Sequence, residues 1–95
     1  MLYAIFCIDK PGMGERRKTA TEAHVAYLAT NPIKVVISGP LVSDDGTRVV
    51  GSLFIVDAAD RAEVATFQRN DPLVAAGVWE TVDVRAFNMR VDNRD

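Results

Sequence analysis

The sequence predicts an α+β domain of order β-α-β-β-α-β. This is the ferredoxin-like split βαβ arrangement, an antiparallel four-stranded sheet with both helices on one face. Three observations carry the prediction. Four segments rich in β-branched and aromatic residues stand at positions 2–8, 34–42, 49–56 and 79–88. A long segment without Pro or Gly, residues 15–30, separates the first two. A capped helical segment followed by Asp71-Pro72 separates the last two.

Residues 2–8 (Leu-Tyr-Ala-Ile-Phe-Cys-Ile) form a continuous apolar run closed by Asp9-Lys10-Pro11-Gly12, a loop signal. The run reads as a strand buried on both faces. Residues 14–30 carry Ala20, Ala23, Tyr27 and Leu28 at helical spacing, and Asn31-Pro32 ends the pattern. Residues 34–42 read as a strand interrupted at Gly39-Pro40. Proline has no N–H for a ladder, so Pro40 requires an edge or a bulge. Ser43-Asp44-Asp45-Gly46-Thr47 is a turn, and Val49 to Val56 completes a hairpin with a loose connection. Asp60 with Glu63 three positions later is a capping box that opens a helix to about Arg69. Asp71 before Pro72 is an N-cap with Pro at the first helical position, and Gly77 ends a short turn. Trp79 to Asn88 alternates with period two. The tail from about Arg90 is polar and is expected to fray.

Ninety-five residues make one small domain, 1–95, with room for one core. Hydrophobic residues at 48% and charged residues at 25% are ordinary for a folded soluble domain. One Cys excludes an internal disulfide, and one His excludes a multi-histidine metal site within a chain. No metal or cofactor is therefore expected. A net charge of −2 with scattered Lys and Arg argues against nucleic acid. No apolar run approaches the ~20 residues of a membrane span. The N-terminal run lacks the basic start and cleavage site of a signal peptide. A lone, reduced Cys7 fits a cytoplasmic protein. Both alternating sets of the first strand, Tyr3-Ile5-Cys7 and Ala4-Phe6-Ile8, are apolar. Helices cover one face, so the other needs a second copy: a homodimer, or a higher even oligomer, is expected.

Candidate chemistry starts at His24. Arg17 lies seven residues earlier, a rotation of about 700°, so both share one helix face within ~20°. Taken on spacing alone, this is a surface or interface His with an Arg neighbour. An imidazole there can also act as a base. Asp71 is first an N-cap. A capping carboxylate uses one oxygen and can offer the other to a His ring N–H, with Pro72 fixing its angle. Such an Asp sets the tautomer and stabilises the imidazolium. Ser52 after Gly51 is a small strand residue, or a hydroxyl donor on the open sheet face. Asp9 is a loop acid at the end of the first strand, on the Tyr3-Ile5-Cys7 side. Cys7 reads as core, and Trp79 as a packing or pocket-wall residue. Gly12-Met13-Gly14 lacks the Lys-Ser/Thr ending of a phosphate loop.

Over nearly its whole length the chain resembles the YciI-like (YCII-related) family of small bacterial proteins. The likeness rests on Leu2-Tyr3-Ala4-Ile5, on Arg17 and His24 with Tyr27-Leu28, on Gly39-Pro40-Leu41 and on Gly51-Ser52. Its most specific stretch is Asp71-Pro72-Leu73-Val74-Ala75-Ala76-Gly77-Val78-Trp79-Glu80. Leu73 stands where an aromatic is common, and the hairpin loop at 43–48 is short for the family. The resemblance implies a dimeric α+β barrel, related to muconolactone isomerase and small monooxygenase folds. It also implies a catalytic His–Asp pair, here His24 and Asp71. One chemistry known in the family is cofactor-free dehydrochlorination of a chlorinated hydroxyquinol. On that footing His24, oriented by Asp71, removes a proton from a small phenolic or quinol-like substrate. Arg17 meets the developing oxyanion, Ser52 adds a hydrogen bond and Asp9 holds Arg17. Elimination or isomerisation follows. The rival expectations are a non-catalytic metabolite-binding or accessory domain, and a cofactor-free oxygenase of the same fold.

Overall fold

A computed structural model of the chain describes residues 1–94. Asp95, the end of the polar tail, lies outside the described residues. The elements are β1 (Leu2–Asp9), α1 (Gly14–Ala29), β2 (Lys34–Val42), β3 (Val49–Asp57), α2 (Arg61–Arg69), α3 (Pro72–Ala75) and β4 (Trp79–Phe87). The four strands form one antiparallel sheet in the order β2-β3-β1-β4. This is the predicted ferredoxin-like topology. Every predicted element is present, with bounds within one residue or so.

The period of two in the strands sorts their side chains onto two faces. Tyr3, Ile5 and Cys7 of β1 pair across the sheet with Val56, Phe54 and Ser52 of β3. This face is sealed by Ile33, which follows α1, and by Val64 and Phe67 of α2. The opposite phase behaves differently. Phe6 is 47% exposed, so within one chain β1 is buried on one face only. The expectation of burial on both faces fails at this level because the helices and their loops all pack on the Ile5 side. Leu53, the partner of Phe6, and Ile37, opposite Ile55, share the uncovered face.

Local chemistry explains the ends of the elements. Asp60 accepts a hydrogen bond from the Glu63 amide at 2.9 Å, the predicted N-cap of α2. α1 stops at Thr30, and Asn31 then adopts a left-handed φ of 56°. Asn tolerates that region better than most residues. Pro40 lies on β2, an edge strand, where its missing N–H leaves no gap in the ladder. Gly51 is demanded by a close approach: a Cβ there would collide with the Cys7 carbonyl oxygen. A register shift between Ile8 and Asp9 pairs Asp9 with Trp79, and Ile8 with Thr81. The shift turns Trp79 out of phase with Thr81 and onto the helix side, against Phe54. Strict alternation had placed Trp79 with Thr81, and the bulge corrects it.

α1 is unusual in what it packs. Arg17 is its one buried residue, and Ala23, expected on the inner face, is exposed. Tyr27 and Leu28 anchor its C-terminal half to the core. Tyr27 donates to the Phe67 carbonyl at 2.7 Å and so ties α1 to α2. The N-terminal half of α1 stands over a cavity instead of a packed interior.

Candidate functional site

The cavity holds about 1100 Å³ and lies between α1, the β1–α1 loop and the β2–β3 hairpin. Arg17, Thr21, His24 and Leu28 line it from α1. These are i, i+4, i+7 and i+11, one stripe along the helix. Ser52 and Phe54 form the floor from β3, and Asp9 closes the end of β1.

Two carboxylate–cation pairs organise this space. Arg17 Nε donates to Asp9 Oδ2 at 2.7 Å, and Arg17 Nη2 reaches Asp9 Oδ1 at 3.2 Å. Nη2 also reaches the Gly51 carbonyl at 2.8 Å and Ser52 Oγ at 2.6 Å. Nη1 makes no hydrogen bond to the described residues. Ser52 is buried on the helix side of the sheet, not on the open face where a hydroxyl donor was expected. Its phase with Phe54 and Val56 decides this. Because Ser52 Oγ accepts from Arg17, its own hydroxyl proton remains free to donate.

The second pair joins His24 to Asp71, 47 positions apart. Nδ1 lies 2.9 Å from Oδ1 and 3.0 Å from Oδ2. Asp71 is 1% exposed and also accepts from the Leu73 amide at 2.9 Å, capping α3. Both roles weighed for Asp71 therefore coexist, although Oδ1 serves both instead of one oxygen serving each. Pro72 occupies the first turn of α3, where it needs no donor. A carboxylate only accepts, so Nδ1 carries a proton toward Asp71, and in the neutral ring Nε2 presents its lone pair. Phe54 packs against the ring in a T-shaped arrangement, 5.9 Å between centroids.

Cys7 lies beneath this site. Burial first, then the negative charge of Asp71, pushes its thiol up to about 12, while Arg17 pulls the other way. At neutral pH it is a neutral core residue and not a nucleophile, as the sequence reading held. Gly12, Met13 and Gly14 belong to the cavity wall. Among the described residues there is no group of three His, Cys, Asp or Glu side chains arranged to hold a metal ion. Among the same residues, no helix is long and apolar enough to cross a membrane.

The sequence reading missed Thr21, Phe54 and the hairpin residues Thr47–Val50 as cavity wall. Thr21 had a signal, since it falls four residues after Arg17 and three before His24. Its hydroxyl donates to the Arg17 carbonyl at 2.7 Å, leaving the oxygen lone pairs as acceptors. The hairpin residues had none, because nothing local says which way a loop folds.

The fold and this site define a class: small α+β proteins with a His–carboxylate pair beside a buried Arg on one sheet face. The YCII-related domain model matches residues 1–88, and the chain belongs to that family. The chain is 31% identical over 94 residues to Protein YciI of Escherichia coli O6:H1 and of Shigella flexneri. Those alignments cover 92% of this chain and 96% of each relative. Among solved structures, it is similar to 5-chloro-2-hydroxyhydroquinone dehydrochlorinase (TftG) of Burkholderia phenoliruptrix, in complex with 2,5-dihydroxybenzoquinone. The TM-score is 0.85 at 32% identity, over 93% of this chain and 94% of that one. An uncharacterized NIPSNAP domain protein from Burkholderia xenovorans, at 15% identity and a TM-score of 0.55 with full coverage of both chains, shares the fold alone.

Proposed function

We propose that this protein is a cofactor-free enzyme that uses His24 and Asp71 for general acid/base chemistry on a small phenolic or quinol-like ring. The observation that carries the reading is the His24–Asp71 contact, with His24 on the wall of a cavity shared with Arg17 and Ser52. The similarity to a dehydrochlorinase supports elimination as the reaction type.

In this reading His24 Nε2 takes a proton from a ring hydroxyl. The ring takes up a proton at the carbon bearing the halide and becomes a ketone. Loss of a second hydroxyl proton then drives electrons through the ring, and the carbon–halogen bond breaks with its pair. The sum is loss of HCl, and no external oxidant is needed. Asp71 stabilises the imidazolium formed at each proton transfer. Arg17 Nη1 and the Ser52 hydroxyl are the donors left free to meet an oxyanion, and Asp9 holds Arg17 in place. With a substrate that lacks a leaving group, the first two proton transfers alone give isomerisation.

The working unit is proposed to be a homodimer joined through the uncovered sheet face, where Phe6, Leu53 and Ile37 leave an apolar surface without a cover. A cytoplasmic setting fits the free thiol of Cys7. Sedimentation at micromolar concentration tests the dimer, and a clean monomer removes it.

Chloride release from 5-chloro-2-hydroxyhydroquinone tests the reaction. Wild type is expected to release chloride, and His24→Ala to retain its fold and lose the activity. Turnover that survives His24→Ala ends the dyad reading. Saturable binding with neither chloride release nor proton exchange points to a metabolite-binding domain, and oxygen uptake to an oxygenase.

A further inference from the structure

The charge of the cavity is opposite to that of the chain. The chain carries a formal net charge of −2. The cavity wall contains Lys10, Arg17, Lys18 and Arg48 against Asp9 and Glu80. Arg17 and Asp9 neutralise one another. Lys10, Lys18 and Arg48 form no ion pair among the described residues. Three cations therefore face one carboxylate, Glu80.

These cations come from three separate segments. Lys10 belongs to the β1–α1 loop, Lys18 to the first half of α1, and Arg48 to the β2–β3 connection. All three are exposed, whereas Arg17 and Ser52 are buried deeper. The cavity is thus charged at its rim and apolar within, where Leu28 and Phe54 contribute. Such a cleft focuses positive potential and gathers anions. A base that generates negative charge inside it also gains from the same field.

We propose that the cleft selects a small aromatic ring bearing an anionic substituent, a carboxylate or its equivalent. The ring lies on the apolar wall toward His24, and the anion faces the rim at Lys18 and Arg48. The inference rests on the cleft being the substrate site.

Two probes that differ by one carboxylate test it: 2,5-dihydroxybenzoate and hydroquinone. His24 is the sole imidazole of the chain, so its ring resonances report occupancy without ambiguity. Trp79 fluorescence gives a second readout. At low salt the carboxylate probe is expected to bind about tenfold tighter. Raising ionic strength toward 1 M, where the Debye length is about 3 Å, should bring the ratio close to one. The double variant Lys18→Gln/Arg48→Gln should lose the preference at low salt. Equal binding of the two probes by wild type overturns the inference and leaves the cleft a binding site. A preference that persists both in high salt and in the double variant overturns the assignment to the rim. Binding of neither probe, with unmoved His24 resonances, overturns the inference together with the reading of the cleft. Should the double variant misfold, the salt dependence of wild type decides alone.

Discussion

The two carboxylate–cation pairs that flank the cavity look alike and are built for different work. Asp9–Arg17 is a nearly closed network. Both side chains are under 10% exposed, and the guanidinium is shared among Asp9, Gly51 and Ser52. Arginine does not deprotonate at any physiological pH, so this pair is a fixed charge with fixed geometry. His24–Asp71 holds its carboxylate just as deep but ends in a ring nitrogen that faces the cavity. Its cation exists only after a proton has arrived. One pair can hold charge and position, and the other can move a proton. The difference follows from side-chain chemistry, since burial and hydrogen-bond lengths are similar in both.

The largest expected effect breaks the second pair electronically while keeping its shape. Asp71→Asn retains an oxygen for the Leu73 amide and so should change stability little. It removes the charge that stabilises the imidazolium. Turnover should fall by about 10²–10⁴-fold, with an altered pH–rate profile. An unchanged kcat would reduce Asp71 to a cap.

Breaking the first pair should be read mainly in stability. Arg17→Ala leaves Asp9 buried and without its cation, and should cost about 3–5 kcal/mol in urea unfolding. At a temperature where the variant is folded, kcat should fall more than KM rises. An effect confined to KM would make Arg17 a binder only.

Gly51 supports both the Arg17 network and the β1–β3 approach. A Cβ at that position meets the Cys7 carbonyl oxygen, which is backbone and cannot move aside. Gly51→Ala should therefore destabilise by about 1–3 kcal/mol, seen as a lower thermal midpoint. Wild-type stability would show that β1 and β3 separate more easily than their pairing implies.

Cys7 senses both pairs, and its test is confined to alkaline pH. Its thiol is raised from 9.0 to about 12, chiefly by burial. Above pH 9 the unfolded chain releases this proton and the folded chain keeps it. The folded state then binds more protons, so stability falls as pH rises from about 9 toward 12. The slope for this one group is at most about 1.4 kcal/mol per pH unit. Cys7→Ala should flatten it in alkaline denaturation. The same burial predicts slow labelling by thiol reagents at pH 8, and rapid labelling of the native protein would place the thiol nearer solvent.

Much of this arrangement was legible beforehand. The spacing of Arg17 and His24 on one helix face needs only the 3.6-residue repeat. The cap at Asp71 needs only an acidic residue before a proline. Pro40 narrowed β2 to an edge or a bulge, and the strand order decides for the edge. Ser52 was misplaced because β1 is apolar in both phases, and no local rule says which phase the helices will cover. Trp79 packs against Phe54 as a packing residue should, but its phase could not be read from strict alternation, because a single bulge at the Ile8/Asp9 step shifts what precedes it in β4.

The sequence by itself determined the elements, their order and the family, because helix and strand periods, caps and turn residues act over a few positions. It also determined which residues had the chemistry to form a site. Only the tertiary structure decided which of them meet. His24 and Asp71 lie 47 positions apart, and Arg17 reaches Ser52 across 35. Such contacts arise when the sheet closes and α1 settles across it. They depend on burial shared by the whole core, which no local stretch of residues encodes alone.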